Sequence, residues 1–403
     1  MAAHECGKQL PLKGLQVLDL TRLLPGPLCT MILGDYGAEI IKIEDTFAGD
    51  LTRFVGNSIK GSGSFFRMLN RNKKSVALNL KTEEGRAVIR KLAARSDVLV
   101  EGFRPGMMDR LGLGYRDLSS INQGLIYAAI SGYGQEGPYR DRAGHDINYT
   151  ALAGLLELSA GENTPPVMPA VQIADIAGGS LMALSGIMIA LYGRQQSGKG
   201  RFVDVSMTRG LLPWLIYAAS GLNGPEDPPR RGRGHLTGAY ACYNIYETAD
   251  GKYMSLGALE PLFWQSFCET AGKEQWIPLQ FDQNCREELI NEVASLFKDK
   301  TRNEWENLFS NVDACCEPVL GLSEAIAHPI SCNGEFWISE EADGCGNEIT
   351  PGFPLLFSGQ PGELRLPPPK HGEHTNEILQ SLGYDSETVD SLERKGVVKS
   401  YSG

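Results

Sequence analysis

The sequence has no long apolar run and no sign of a membrane anchor. Its longest apolar stretch, residues 181–192, is about a dozen residues long and contains Ser185 and Gly186, whereas a membrane span needs about 20 residues. The stretch therefore predicts a buried helix and no membrane partner. Residues 1–14 lack the apolar core of a signal peptide, which predicts a cytoplasmic protein.

The sequence also lacks CxxC pairs and an excess of positive charge. Its nine cysteines are scattered, with Cys315 and Cys316 as the only close pair. This pattern predicts a reduced compartment and no structural zinc site. The formal net charge is −11, which argues against nucleic acid as a partner, since nonspecific binders carry basic surfaces.

Glycine is abundant, with 47 among 403 residues, or about 12% against a usual level of about 7%. Proline is limited to 22 residues and there is no Gly-X-Y period, so collagen and low-complexity chains are excluded. In a folded chain, such a glycine content predicts many tight turns or backbone that approaches a ligand closely.

The first part of the chain alternates strand and helix patterns. Thr82 is a predicted N-cap, and the alternation predicts an α/β fold with a mostly parallel sheet. Ligands of such sheets bind beyond the carboxyl ends of the strands. Strands are predicted over 15–20, 39–44, 75–80, 98–103, 125–131 and 202–207, and helices over 25–36 and 82–95.

Composition divides the chain into a large and a small domain. The predicted parts are a large domain over 1–220, a linker over 221–240, a smaller α+β domain over 241–335, and a linker with a return to the large domain over 336–403. The small domain has a hairpin signal at Asp250-Gly251. Its predicted strands cover 243–247 and 253–256, and its helices 261–270 and 286–297. Thr375 is a predicted N-cap of a last helix.

Two motifs favour loops over cofactor sites. Gly132–Gly137 matches GxGxxG, but the polar loop that begins at Pro138 replaces the helix that a dinucleotide site requires. His371 and His374 have no further metal-type ligands nearby in the sequence, so we predict a loop and helix cap and no metal site.

Basic residues precede the predicted strand at 75–80, and Arg104 follows the strand at 98–103. The basic run comprises Arg67, Arg71, Lys73 and Lys74. Such a run either keeps a surface soluble or binds a phosphate-rich ligand.

Three acid/base candidates stand out, each with a structural alternative. His145 adjoins Asp146 in a glycine-flanked segment, where a lone histidine is usually structural. Asp175 precedes a strongly apolar helix, where an aspartate is often an N-cap. Glu260 ends the hairpin of the small domain.

These residues lie in segments that resemble the CaiB/BaiF superfamily of family III CoA-transferases, and within it the α-methylacyl-CoA racemases. The segments include LPGPLCTMILGDYGAEIIKIE, RNKKSVALNLK, SDVLVEGFRPG, AGHDINY, IADIAGGS, SGKGRFVDVSM, YETADGKYMSLGALEP and GEHTNEIL. The racemase resemblance depends mainly on AGHDINY and GALEP.

The resemblance implies roles for individual residues. His145 and Asp175 match the catalytic pair, and Glu260 matches a carboxylate that orients the histidine. Residues implied to contact the CoA thioester are Leu78, Asn79, Leu80, Lys81, Arg104, Gly144, Asp146, Ile147, Asn148 and Tyr149. Arg71 and Lys73 of the basic run join this set as candidate phosphate ligands.

The implied reaction is interconversion of (R)- and (S)-2-methylacyl-CoA by proton transfer through an enolate, a step of lipid metabolism. The alternatives are a CoA-transferase, in which the Asp175 carboxylate attacks the thioester, and a CoA-binding protein without chemistry. Glu44-Asp45-Thr46 stands where racemases have an arginine, which keeps the transferase open. The family also implies an intertwined homodimer with a Rossmann-like large domain. No cofactor is implied, because CoA is part of the substrate.

Overall fold

The computed structural model describes residues 9–223, 228–332, 336–342 and 346–401. These residues form two compact units. The first comprises the described residues of Met1–Ala153, Ala170–Pro213 and Asn333–Gly403, and the second those of Gly154–Pro169 and Trp214–Cys332. The predicted linker at 221–240 includes residues 224–227, which lie outside the described residues.

Strands and helices alternate through the first unit. The strands of the chain are β1 Gln16–Leu20, β2 Glu39–Glu44, β3 Ser58–Ile59, β4 Ser62–Gly63, β5 Lys73–Leu78, β6 Val98–Glu101, β7 Ile126–Ser131, β8 Phe202–Ser206, β9 Tyr243–Glu247, β10 Tyr253–Gly257, β11 Cys316–Pro318, β12 Trp337–Ala342, β13 Gly346–Pro351 and β14 Val398–Lys399.

The α-helices are numbered in the same chain order. They are α1 Pro25–Asp35, α2 Ser64–Leu69, α3 Glu83–Ala93, α4 Met107–Arg110, α5 Tyr115–Ile121, α6 Asp146–Leu152, α7 Leu155–Leu158, α8 Met182–Ser197, α9 Ile216–Ser220, α10 Pro261–Thr270, α11 Arg286–Phe297, α12 Arg302–Phe309, α13 Leu322–Ala327, α14 Pro329–Cys332, α15 Thr375–Ser381 and α16 Ser386–Arg394. A π-helical segment, Ala174–Leu181, leads directly into α8.

The first unit contains a mostly parallel sheet, which confirms the predicted α/β class. Its strand order is β14-β5-β2-β1-β6-β7-β8, and β14 alone is antiparallel to its neighbour. Without β14, this is the doubly wound order 3-2-1-4-5-6. The order reverses between β1 and β6, and ligands of such sheets bind at that crevice.

The second unit has its own core and an antiparallel sheet in the order β11-β10-β9. Asp250-Gly251 turns the hairpin between β9 and β10, and Gly251 has a φ of +71°. The core is rich in stacked aromatic rings, which include Trp264, Phe267, Phe297, Trp305 and Phe309.

Two local predictions are wrong. Thr375 is the first residue of α15 and not its N-cap, which is His374. The Thr375 hydroxyl instead donates to the Lys399 carbonyl at 2.8 Å and accepts from the Ala77 amide at 3.1 Å. It therefore joins β14 and β5, which already satisfies the hydroxyl.

The apolar stretch at 181–192 is not a fully buried helix. One side of α8 packs on β7, β8 and α1, while Met188, Ile189 and Tyr192 are exposed. Within the described residues, Ala174–Ser197 is one helical run with the length and composition of a membrane span, and half of its most apolar window is buried. The helix therefore presents an apolar face outward.

Candidate active site

A cavity of about 380 Å³ opens at the carboxyl edge of the sheet, where the strand order reverses. Its walls come from the segments that follow four strands: Thr21 after β1, Gly102 after β6, Gly132 after β7 and Met207 after β8. We call it the catalytic cavity for the role proposed below, because two of the three acid/base candidates, His145 and Asp175, line it.

His145 lies at the N-cap of the short helix α6 and its side chain is exposed. Its backbone N–H donates to Asn148 Oδ1 at 3.0 Å, and the Asn148 amide donates back to the His145 carbonyl at 2.8 Å. Asn148 thereby holds the backbone that carries the imidazole.

Asp175 lies in the first turn of the π-helical segment and is half-buried. Its backbone N–H donates to Asp146 Oδ1 at 3.0 Å, which ties this turn to α6. Burial and the neighbouring Asp146 carboxylate raise the pKa of Asp175 to about 6, against a smaller opposing effect of His145. Its charge therefore changes close to neutral pH, as suits an acid/base group.

Tyr149 closes one side of the catalytic cavity and explains two glycines. Its hydroxyl donates to the Gly144 carbonyl, and its ring contacts Tyr133 edge-on at 5.1 Å. A Cβ at Gly132 would lie 2.4 Å from the Tyr149 ring, and one at Gly144 would lie 2.7 Å from it. Both positions therefore need glycine for this close packing. Burial raises the pKa of Tyr149 to about 12, so its hydroxyl stays protonated.

Four arginines line the catalytic cavity: Arg22, Arg104, Arg140 and Arg142. Only Arg104 is predicted from the sequence. Arg22 could also have been predicted, because it follows the first predicted strand as Arg104 follows the strand at 98–103. Arginine pairs well with phosphate oxygens, so this edge of the sheet is suited to a phosphorylated ligand.

A second cavity, of about 500 Å³, lies beyond β2 and β5, and it is named the nucleotide cavity for the ligand proposed below. Residues 78–81 line it, as does Asp45, and it shares Arg22 and Phe103 with the catalytic cavity. The structure thus places Leu78, Asn79, Leu80 and Lys81 in a cavity next to that of His145 and Asp175.

Arg71 and Lys73 do not form a phosphate site, which corrects the interpretation of the basic run. Arg71 is buried and its guanidinium donates to both oxygens of Asp35, at 2.9 and 2.7 Å. Lys73 is fully buried, and its Nζ lies 3.1 Å from Asp19 Oδ2. Their charges are already paired inside the protein.

Within residues 144–149, only part of the predicted set lines the catalytic cavity. Gly144, His145 and Tyr149 do so. Asp146 and Asn148 act through the hydrogen bonds described above, and the Ile147 side chain is exposed on α6. Asp146 and Asn148 thus position the two acid/base candidates, and the contact of Asp146, Ile147 and Asn148 with substrate stays a prediction.

Glu260 belongs to the second unit, where it is exposed at the N-cap of α10. Its carbonyl accepts from the amides of Phe263 and Trp264, at 3.0 and 3.2 Å. Its predicted role beside His145 stays a prediction.

The remaining motifs occupy loops. The segment Gly132–Gly137 follows β7 without opening into a helix, and Gly134 and Gly137 have φ near +95°. His371 Nε2 contacts the Asp45 carbonyl at 2.7 Å, and His374 occupies the N-cap position of α15. In the described part of the chain, no group of three His, Cys, Asp or Glu side chains is arranged to hold a metal ion.

Comparisons with known proteins agree on one family. The sequence model of CoA-transferase family III matches residues 12–375. The chain is 37% identical to human alpha-methylacyl-CoA racemase, over 97% of this chain and 98% of that protein. It is 35% identical to human succinyl-CoA:glutarate CoA-transferase, over 96% of this chain and 90% of that protein. A CAIB/BAIF family protein from Brucella suis superimposes with a TM-score of 0.80 at 28% identity, covering 93% of this chain and all of that one.

Proposed function

The chain belongs to CoA-transferase family III, and from that premise we propose that it is an acyl-CoA racemase. It interconverts (R)- and (S)-2-methylacyl-CoA thioesters by removing the proton at C2 and returning one to the opposite face. The observation that carries the proposal is the joint placement of His145 and Asp175 in one cavity, with the pKa of Asp175 raised to about 6.

The reaction needs two acid/base groups, one for each face of the enolate. In one direction neutral His145 takes the C2 proton while protonated Asp175 donates; in the other direction the roles exchange. The first turn of the π-helical segment carries Asp175, which lines the cavity, so the positive end of the helix dipole can stabilise negative charge that develops on the thioester oxygen. Glu260 would stabilise the imidazolium and set the orientation of the ring.

The two adjoining cavities suit the two ends of a CoA thioester. The thioester lies in the catalytic cavity and the adenosine end in the nucleotide cavity, near Leu78–Lys81. Arg22 and Arg104 pair with the phosphates between them. CoA is part of the substrate, and the proton transfers use side chains of the protein.

The second candidate function is CoA transfer, which is supported by the 35% identity to a CoA-transferase and by the same aspartate. An Asp175 oxygen attacks the thioester carbon, the C–S bond breaks, and CoA leaves as thiolate with a mixed anhydride on the protein. The thiolate then attacks the Asp175 carbonyl carbon, which releases the acyl group as carboxylate. An incoming carboxylate finally takes CoA through the reverse steps.

Solvent exchange distinguishes the two functions. The protein is incubated in D₂O with a panel of 2-methylacyl-CoAs, with or without free carboxylates, and products are followed by mass spectrometry. A racemase incorporates one deuterium at C2 without any added carboxylate. A transferase forms a new acyl-CoA only with one, and that result without exchange would refute the racemase.

Substitutions test the acid/base roles of His145 and Asp175. His145→Ala and Asp175→Ala should each lower exchange at least a hundredfold with folding intact, because a general acid or base contributes about 10²–10⁴-fold. His328→Ala, a histidine beside Glu306 in the second unit, is the matched control and should retain exchange. Exchange that persists in either cavity variant would contradict the assignment.

A further inference from the structure

The carboxyl end of β1 lies on a cluster of buried charges that the proposed chemistry does not use. Asp19, Lys42, Asp50 and Lys73 are all fully buried. Lys42 Nζ lies 3.0 Å from Asp50 Oδ2, and Lys73 Nζ lies 3.1 Å from Asp19 Oδ2. Two carboxylates and two ammonium groups balance, as buried charges must.

Three members of this cluster bind the backbone of the Thr21–Leu23 loop. Asp19 Oδ1 accepts from the Thr21 amide at 2.9 Å and also from its hydroxyl. Lys42 Nζ donates to the Thr21 carbonyl at 2.9 Å. The Leu23 amide donates to Asp50 Oδ1 at 3.4 Å. Side chains of β1, of β2 and of the segment after β2 therefore fix the loop through hydrogen bonds.

The loop needs such support because its backbone is strained. Leu23 has a φ of +67°, in the left-handed region that residues with a side chain seldom adopt. Its leucine side chain is also exposed, so packing of that side chain does not compensate for the conformation. The hydrogen bonds from the buried cluster compensate for this conformation instead.

The loop forms part of both cavities. Thr21, Arg22 and Leu23 line the catalytic cavity, and Arg22 also lines the nucleotide cavity. The Arg22 guanidinium lies 5.3 Å from the centre of the Phe103 ring. A ligand that spans both cavities must therefore pass this loop, and fixing its backbone lowers the entropy lost when Arg22 binds phosphate.

We infer that Lys42 is a positioning residue for the CoA thioester: its buried ammonium holds the Thr21–Leu23 loop, and with it Arg22, in the conformation that binds the ligand. The inference rests on the proposed function only for the identity of the ligand. Lys73 provides a matched comparison. It is equally buried and pairs with the same cluster, but its other bonds go to Thr30 and to the Pro27 carbonyl, outside the loop.

The test compares Lys42→Met with Lys73→Met. Hydrogen exchange by mass spectrometry reports the loop through a peptide that spans residues 20–28. Calorimetry reports the Kd of S-propyl-CoA, an unreactive thioether. Both variants should lose thermal stability. Only Lys42→Met should raise loop exchange and the Kd, each about tenfold, with KM for a 2-methylacyl-CoA rising more than kcat falls.

Equal changes in loop exchange and Kd in both variants would overturn the inference, because they would show that the loop depends on the buried cluster as a whole, including Asp19 with its partner Lys73, and not on Lys42 itself. If Lys42→Met does not fold, Asp50→Asn decides: it removes the charge facing Lys42 but keeps the acceptor for Leu23, and it should raise the Kd about threefold. If Asp50→Asn leaves both the Kd and the hydrogen exchange of the loop unchanged, the positioning role of Lys42 is refuted. If the wild-type protein does not bind S-propyl-CoA, the proposed substrate class is refuted. The hydrogen exchange of the loop would still test whether Lys42 holds the loop.

Discussion

At the scale of single residues, the catalytic cavity depends on a carboxyl group whose surroundings disfavour its charge. Asp175 is half-buried and faces the Asp146 carboxylate, and both effects raise its pKa. Asp146 also accepts the Asp175 backbone N–H. Asp146 therefore both raises the pKa of Asp175 and holds Asp175 in place, so deleting Asp146 would remove both effects together.

This pKa shift predicts that Asp175 costs stability at neutral pH. A folded-state pKa of about 6, above the ordinary value of 3.8, means that the folded protein binds more protons than the unfolded chain between these values. Stability therefore falls as pH rises from about 4 to 6. Asp175→Asn should be more stable than wild type at pH 7.5, by about 1 kcal/mol after allowance for partial solvent exposure. Urea unfolding at pH 7.5 and pH 4 measures the difference.

At pH 4 the advantage of Asp175→Asn should largely disappear, because the wild-type carboxyl is then mostly protonated in the folded state. Asp141→Asn, which removes an exposed carboxylate from the same unit, should change stability little at either pH. A variant that is less stable than wild type at pH 7.5 would contradict the raised pKa.

Residues whose ion-pair partners are distant in the chain are those that local sequence patterns misassign. The segments around His145 and Asp175 carry a family resemblance, so both residues could be found from the sequence. Arg71 and Lys73 were assigned to a ligand because a basic run does not reveal its partners. Those partners, Asp35 and Asp19, lie 36 and 54 residues away in the chain, and only the sheet brings them together.

At the scale of secondary-structure elements, local pattern was sufficient for most of the sheet. The structure gives the predicted bounds of β2 and moves the ends of the other predicted parallel strands by no more than two residues. β14 was missed because two residues carry no periodicity. The face of α8 was misjudged because an apolar run indicates length and hydropathy, but not which side is covered.

Two of the four glycines in the run from Ala174 to Ser197 have opposite surroundings. A Cβ at Gly178 would lie 2.2 Å from the Met207 carbonyl oxygen, whereas nothing lies within 4 Å of one at Gly193. Gly178→Ala should therefore push the turn of Asp175 away from β8 and lose about 1–3 kcal/mol of stability together with most activity. Gly193→Ala should gain about 0.5–1 kcal/mol, since alanine is the better helix former.

Thermal unfolding and C2 proton exchange of the two variants make the comparison. Because both substitutions add one methyl group to the same helical run, a difference between them reports the space around each glycine. Similar stabilities, or full activity in Gly178→Ala, would show that the π-helical segment adjusts easily and is not held against β8.

At the scale of the whole molecule, the order of the strands in the sheet brings the residues of the site together. The catalytic cavity uses residues from Thr21 to Met207, and they meet only because β1 and β6 are neighbours where the order reverses. Strand alternation predicted the edge at which a ligand would bind, but several strand orders are compatible with the same alternation. The arrangement of two adjoining cavities therefore could not be derived from the sequence.

At the same scale, we expect the outward face of α8 to be covered in the homodimer that the family resemblance implies. Ile189 is 73% exposed and Tyr192 66% exposed, and large apolar side chains grouped on one surface mark an interaction site. Glu260, the third proposed catalytic residue, lies in the second unit. In the intertwined homodimer that the family resemblance implies, we expect this carboxylate to serve the partner's site, so loss of the dimer should also remove activity.

Ile189→Glu tests this proposal, because a charge buried in an apolar interface is strongly unfavourable. Light scattering should give the wild type about twice the 43.9-kDa mass of one chain, and should give Ile189→Glu a mass near one chain with little C2 exchange. Ile121→Glu, on exposed α5 surface of the same unit, should stay dimeric and active. A monomeric, active wild type would refute the dimer. Binding to phosphatidylcholine vesicles that Ile189→Glu abolishes would assign the face to a lipid surface.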